Sequence, residues 1–188
     1  LSILLGTGIP TIPTYIITAA LAAPALAELG VPLIVSHMFA FYYGIMADLS
    51  PPVALAAFAA APIAKENPDT IGWEAMRIAL AGYVIPFIAV YSPALMLQAG
   101  DPMEVYLGFY GAVAYATVKA LIAIGLFGMV AIGFLFTRMT IIERVVTFVA
   151  ALCLLGEFPY SDWVGFALAA IIVVWDWRRR PASDAVAA

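Results

Sequence analysis

Polar and charged positions in this chain fall into short clusters, at residues 65–69, 101–104, 138–144 and 175–180, with long apolar runs between them. That spacing predicts membrane-spanning helices joined by short loops. The first helical run covers 15–27 and is rich in alanine. At 1.5 Å per residue it reaches roughly 20 Å, less than a hydrocarbon core of about 30 Å. Glu28-Leu29-Gly30 ends it. A second run starts at Val31, meets Asp48-Leu49-Ser50-Pro51-Pro52 after Ala47, and resumes over 53–63. Taken as one element, 32–64 is longer than an ordinary span and broken near its middle. Membranes tolerate such a break only where protein or water satisfies the freed backbone groups.

The later runs are more ordinary. Residues 73–97 have span length, with a kink expected at Pro86. The stretch 105–136 carries Lys119 and reads either as one steep span with an interfacial lead-in or as a strongly tilted helix. Residues 141–155 form a shorter crossing and 163–177 the last one. Gly125, Gly128 and Gly133 would permit close helix packing. The tail at 181–188 is polar, alanine-rich and expected to be disordered. The fold class expected is an all-α polytopic membrane protein with a discontinuous helix.

The amino end sharpens that expectation. GTGIPTIPT puts two glycines and two prolines into an oily run, just before the short 15–27 helix. Charge placement supplies an orientation. Arg178, Arg179 and Arg180 put the C-terminus on the cytoplasmic side by the positive-inside rule. Counting backwards, 156–162 falls outside, 138–144 inside, the loop at Asp101 and Glu104 outside, and 65–77 inside. Basic residues land inside at each step. The turn at 28–30 then lies outside, and the short helix descends from it to stop part way at GTGIPTIPT. This predicts the second limb of a re-entrant helical hairpin. The chain opens inside this hydrophobic element without a basic leader, which predicts a piece of a longer protein rather than a signal peptide.

Composition agrees and narrows the functional classes. Hydrophobic residues make up 65% of the 188 and charged residues only 11%, against about a quarter charged in soluble domains. The single cysteine, Cys153, excludes an internal disulfide and any multi-cysteine metal site and is expected to be buried packing. A net charge of −4 without a basic, aromatic-interleaved surface gives no reason to propose nucleic-acid binding. No Ser-His-Asp arrangement, phosphate-cradling lysine loop or dinucleotide fingerprint is present, so no enzyme chemistry and no resident cofactor are expected.

The chemistry lies in the two breaks. Helix ends exposed at membrane depth offer carbonyls to a cation or amides to an anion. Gly6 and Gly8 let the backbone turn with its carbonyls available, Thr7, Thr11 and Thr14 add hydroxyls, and Asp48 and Ser50 add oxygens from the second break. Hard oxygen donors of this kind suit sodium. Amides near Thr11 and Val53 are able to face an organic anion. Asp48 carries the most weight, because a charge at membrane depth costs about 3 kcal/mol on insertion scales and calls for a partner. His37 has no second histidine and reads as packing. Lys119 would snorkel or pair. Phe39, Phe41, Tyr42 and Tyr43 cover every helical face and read as packing or lipid contact, while Trp73, Trp163, Trp175 and Trp177 look like interfacial belt residues.

GTGIPTIPTYIITAALAAPAL, followed by GVPLIVSHMFAFYYGIMADLSPPVALAAFAAAPIA, resembles the C-terminal half of the large membrane subunit of tripartite ATP-independent periplasmic (TRAP) transporters. The likeness is to the fused permeases that use a TAXI-type extracytoplasmic binding protein. It is strong over 6–97, and the later spans resemble the more variable C-terminal extension. Many large subunits carry TPP at the second break where this chain has SPP, which keeps the hydroxyl.

The resemblance implies an incomplete, elevator-type fold: 1–97 as the C-terminal half of a transport domain and 98–180 as following membrane spans. It implies a multi-pass protein of the bacterial inner membrane that imports organic acids, C4-dicarboxylate-like or related, driven by a sodium gradient. The implied partners are a periplasmic binding protein, the N-terminal remainder of the permease, small-subunit-like helices and the lipid bilayer. Carried to this chain, the cation site falls on Gly6, Thr7, Gly8, Thr11, Asp48 and Ser50, and the substrate site on Pro10, Thr14, Pro51, Pro52 and Val53. Two rivals stand beside this reading: a channel or proton-coupled carrier using Asp48 or His37, and a non-transporting scaffold subunit.

Overall fold

The computed structural model describes residues 9–52, 54–156 and 160–179. Gly6, Thr7, Gly8, Val53 and the tail 181–188 lie outside the described residues. The rest is helical, and the β pairing among the described residues is an isolated bridge between Phe134 and Arg138. The chain divides into two compact units between Val118 and Lys119.

The first unit opens with α1 (Thr11–Glu28) and α2 (Leu33–Ala47). Gly30 ends α1 in the left-handed region at φ 83°. The amides of Gly30 and Val31 return to Ala27 O and Leu26 O, a double closure that needs a residue without a Cβ penalty between helix and turn. This is the stop expected at 28–30. The two helices form a hairpin whose contact is made of small groups: Gly44 lets α2 approach until a Cβ there would lie 3.3 Å from the Thr14 methyl. Buried Thr18 returns its hydroxyl to Thr14 O at 2.8 Å, so no polar group is stranded in the seam. At its start α1 is longer than expected. Its 18 residues cover about 27 Å, so by length and composition α1 is a candidate span.

After α2 the chain breaks at 48–54 and resumes as α3 (Leu55–Ala64), as the Asp-Leu-Ser-Pro-Pro run predicts. Next come α4 (Pro68–Ile78) and α5 (Leu80–Tyr91), then a 3-10 turn at Pro93–Met96. Here the structure adds a bend that the sequence reading did not place. The bend between α4 and α5 is 43° and lies at Ala79, while the helix runs on through Pro86. The cause is a change of character along the chain. Helix α4 carries Asp69, Glu74 and Arg77, with Glu74 and Arg77 paired at 3.5 Å on an exposed side, whereas α5 has no charged residue. A polar-sided and a wholly apolar helix bury different faces, and a straight rod serves both poorly.

Helix α6 (Glu104–Ile132) is interrupted at Gly108, whose φ of 69° and ψ of 172° are not helical. A lead-in turn therefore precedes a helix over 109–132, 24 residues that cover about 36 Å at helical rise. Asp101 and Glu104 serve its start: Asp101 Oδ1 accepts from Met103 N and Glu104 Oε2 from Gly100 N, both at 2.9 Å. By length and composition the described residues hold two helices able to cross a membrane, α1 and α6, or three if the bent α4–α5 pair is one span.

In the second unit α7 (Ile141–Leu155) packs on α8 (Ser161–Arg178). Thr140 and Glu143 close a capping box at the start of α7. Helix α7 has the bounds expected of the shorter crossing, and α8 extends the expected 163–177 by a residue or two at each end, where Asp162 and Arg178 lie. The glycines also differ from expectation. Gly125 and Gly128 face open space, while Gly133 is a turn at φ 74°, crossed by the Arg144 guanidinium where a Cβ would stand. Spacing marks a small-residue face but not whether a neighbour lies on it. Cys153 is half-buried.

Candidate functional site

The site forms where the start of α1 meets the end of α2. Thr11 opens α1, with Pro10 as its N-cap and no side chain capping it. Asp48 closes α2 as its C-cap. The hairpin brings them together across 37 positions of sequence: Thr11 Oγ1 donates to Asp48 Oδ2 at 3.0 Å. Asp48 Oδ1 is buried and has no hydrogen-bond partner among the described residues. The carboxylate is thus half satisfied. It lies near the positive end of the α1 dipole but at the negative end of α2, where its own helix disfavours it. One buried oxygen of a carboxylate without a donor costs free energy until a cation, proton or water meets it.

The break beyond Asp48 is a closed backbone structure. Its carbonyl accepts from Ala56 N at 3.1 Å, and Ser50 O accepts from Ala54 N at 3.0 Å. Ala54 carries the turn in the left-handed region at φ 38°, an uncommon position for a residue with a Cβ. Gly72 of α4 lets that helix lie against the break, with a Cβ there falling 3.2 Å from Ala54 and 3.4 Å from Pro51. The amides of Ala56, Ala57 and Phe58 are engaged by Asp48 O and Ala54 O. The first turn of α3 therefore closes on itself.

Ser50 is buried and faces another neighbour. Its hydroxyl donates to Met46 O at 2.6 Å and also contacts the Tyr83 hydroxyl from α5. Tyr43 in turn donates to Tyr83 O at 2.5 Å, and Phe39, Tyr43 and Phe87 stack into one aromatic cluster. Of the other expected site residues, Thr14 is fully buried and donates to Ile9 O at 3.1 Å. Pro10 and Pro52 are exposed, and Pro51 meets the α4 approach. The structure thus brings Thr11 and Asp48 together, ties Ser50 to Tyr83, and leaves Thr14 inside the hairpin seam. His37 pairs with Tyr15 (Nδ1 to hydroxyl, 2.9 Å) two turns or more from Asp48.

Sequence reasoning read Tyr43 as packing or lipid contact and did not single out Tyr83. The one available signal was that each is a tyrosine rather than a phenylalanine in an apolar helix, which implies a partner for its hydroxyl. Lys119 settles as a paired residue: almost fully buried in α6, it meets Asp162 at 2.7 Å.

Two apolar helices joined as a hairpin, the second discontinuous and carrying a half-satisfied carboxylate at its break, belong to the class of all-α membrane proteins with broken helices. The family model described as "Tripartite ATP-independent periplasmic transporter, DctM component" matches residues 1–103, and the chain belongs to that family. It is a transport component and not an enzyme. No curated protein and no solved structure matches it. Among the described residues no group of three His, Cys, Asp or Glu side chains comes together as a metal site.

Proposed function

We propose that the chain supplies the C-terminal half of the transport domain, within 1–97, and the following membrane helices, within 98–180, of a sodium-coupled, elevator-type permease. The permease imports organic acids of the C4-dicarboxylate kind or related carboxylates across the bacterial inner membrane, with its C-terminus cytoplasmic. It is of the fused subtype and receives its substrate from a TAXI-type periplasmic binding protein. Sodium is cargo here, and no covalent step is involved.

The observation that carries the reading is the Asp48 carboxylate, held by Thr11 on one oxygen and buried on the other without a hydrogen-bond partner among the described residues. Carboxylate, hydroxyl and carbonyl oxygens are donors that a hard monovalent cation accepts. A cation there neutralises Asp48 and draws the start of α1 to the end of α2. Gly6, Thr7 and Gly8, which precede α1 in the chain, would complete the shell. The organic anion then binds beside the neutralised break, near Pro10, Thr14, Pro51, Pro52 and Val53. Each ligand raises the affinity of the other, as linkage requires.

The test is uptake of a radiolabelled C4-dicarboxylate by the permease and its binding protein in proteoliposomes under imposed sodium or proton gradients. Sodium should drive wild-type uptake, and Asp48→Asn should reduce it at least about tenfold through the loss of one charge-assisted contact. Uptake driven by a proton gradient alone would overturn sodium coupling and leave a proton-coupled carrier. Unchanged flux in Asp48→Asn would remove Asp48 from the site.

A further inference from the structure

Contacts along the second unit fix how far the α7–α8 hairpin reaches beside α6. At one end, Arg144 of α7 donates to Ile132 O at 3.1 Å, and Asp176 of α8 accepts from the Phe136 and Thr137 amides. Further along, the rings of Phe127 and Phe148 meet with centroids 5.8 Å apart. At the other end, Lys119 of α6 pairs with Asp162, in the first turn of α8, at 2.7 Å. The hairpin closes near that level. Ser161 Oγ donates to Gly156 O at 2.8 Å, and Gly165 lets α8 lie so near α7 that a Cβ there would fall 2.7 Å from the Leu154 side chain.

These contacts act as a ruler. From Ile132 to Lys119, α6 rises about 20 Å, and from Asp176 to Asp162, α8 rises about 21 Å. The first set of contacts sits at a membrane boundary, because Glu143, Arg144, Asp176 and Arg179 gather there and Trp175 donates its indole N–H to Glu143. A hydrocarbon core is about 30 Å thick, so Lys119 and Asp162 lie about 10 Å short of the far boundary. Helix α6 itself runs on past Lys119 through 109–118, a further ~15 Å without a charged residue. A lysine at such depth calls for a partner, and the start of α8 brings one.

We propose that α7 and α8 form a re-entrant hairpin. It enters on the side of Arg138 and Arg178, ends inside the bilayer at the level of Lys119, and leaves on the side from which it came. The start of α8 is then held within the membrane, in place of the external loop expected at 156–162. Irregular backbone at that depth needs partners within the protein; the Lys119–Asp162 pair and the Ser161–Gly156 bond supply them. The hairpin lies beyond residues 1–103 matched by the family model, and the proposal does not rest on the cation-site reading. A protein docking on the far face would not meet the α7–α8 turn.

The test reads depth in the intact permease, reconstituted in sealed proteoliposomes. Trp163 is exposed in the first turn of α8 and is left as the single tryptophan, the others being replaced by phenylalanine. Lipids brominated deep in the acyl chain should quench it at least about twofold more than lipids brominated beside the headgroup, since it lies about 10 Å inside the boundary. Stronger quenching by the shallow bromines makes Trp163 interfacial and overturns the proposal. A second reading leaves every tryptophan in place. Single cysteines replace Ala99, Arg138 or Tyr160 in a background that includes Cys153→Ala, and a membrane-impermeant maleimide is applied from each side. Ala99→Cys and Arg138→Cys should label from opposite sides of the membrane. From the Ala99 side, Tyr160→Cys should react at least about tenfold more slowly than Ala99→Cys, because apolar surroundings suppress the thiolate. Equal rates from that side make the hairpin a full crossing and overturn the proposal, while the transport reading stands.

Discussion

Asp48 in the first unit and Asp176 in the second are both carboxylates at the end of an apolar helix, and they are treated in opposite ways. Asp176 is almost fully buried and accepts from the Phe136 amide at 2.7 Å, the Thr137 amide at 3.2 Å and the Thr137 hydroxyl, with Arg179 beside it at 3.5 Å. Asp48 has Thr11 on one oxygen and no hydrogen-bond partner among the described residues on the other. A buried charge surrounded by donors organises a loop, here the turn at 133–139. A half-buried charge with one buried oxygen left unserved keeps capacity for something that comes and goes. The second unit also pairs Lys119 with Asp162, and Glu143 with both Arg179 and Trp175.

The largest expected effect tests that contrast directly. Asp176→Ala would strand two amides and a hydroxyl and should cost about 4 kcal/mol of unfolding free energy, read by denaturant titration in detergent. Asp48→Asn keeps an oxygen for Thr11 and removes an unserved charge, so it should change stability by less than about 1 kcal/mol. Equal losses in the two variants would make Asp48 a structural cap like Asp176, and the comparison would collapse.

A smaller effect concerns the ion pair. Lys119→Met leaves Asp162 without its cation and should cost about 3 kcal/mol, whereas Lys119→Met with Asp162→Leu should recover most of that, because an apolar pair of similar volume needs no desolvation. The same unfolding titration reads both. A double variant as unstable as the single one would mean that Asp162 is held by more than Lys119.

How much of this was legible beforehand follows the range of the signals. The end of α1 at Gly30 and the break after Ala47 are written in neighbouring residues, and so is the all-α class, whose apolar runs need no tertiary knowledge. The bend at Ala79 was not anticipated, because Pro86 is the louder local signal. The actual cause is the change of face between α4 and α5, which becomes visible only when packing partners are known. Gly125 and Gly128 carry helix-packing spacing and meet nothing, because spacing does not say on which side a neighbour stands. Within the site, the residue types of the breaks were legible as oxygen donors. The Tyr83 clamp on Ser50 was not, since it spans 33 positions and depends on how closely α5 approaches α2.

The finest probe of the comparison is Thr11→Val, which preserves the shape of the side chain and deletes its hydroxyl. In wild type that hydroxyl is the one described donor to the Asp48 carboxylate. Its loss leaves both oxygens without a described partner, so a purely structural Asp48 would lose about 1 kcal/mol of stability and nothing else. If Asp48 is an ion ligand, the deletion has a second consequence. The carboxylate is no longer held toward α1, the ion must organise it, and the sodium-dependent share of stability should fall while stability in choline falls by only that ~1 kcal/mol. Thermal melts of Thr11→Val in the two salts separate these outcomes. A loss identical in sodium and in choline would put Thr11–Asp48 with Asp176 among the fixed contacts. A loss confined mainly to sodium would place the difference between the two carboxylates in what each was left free to bind.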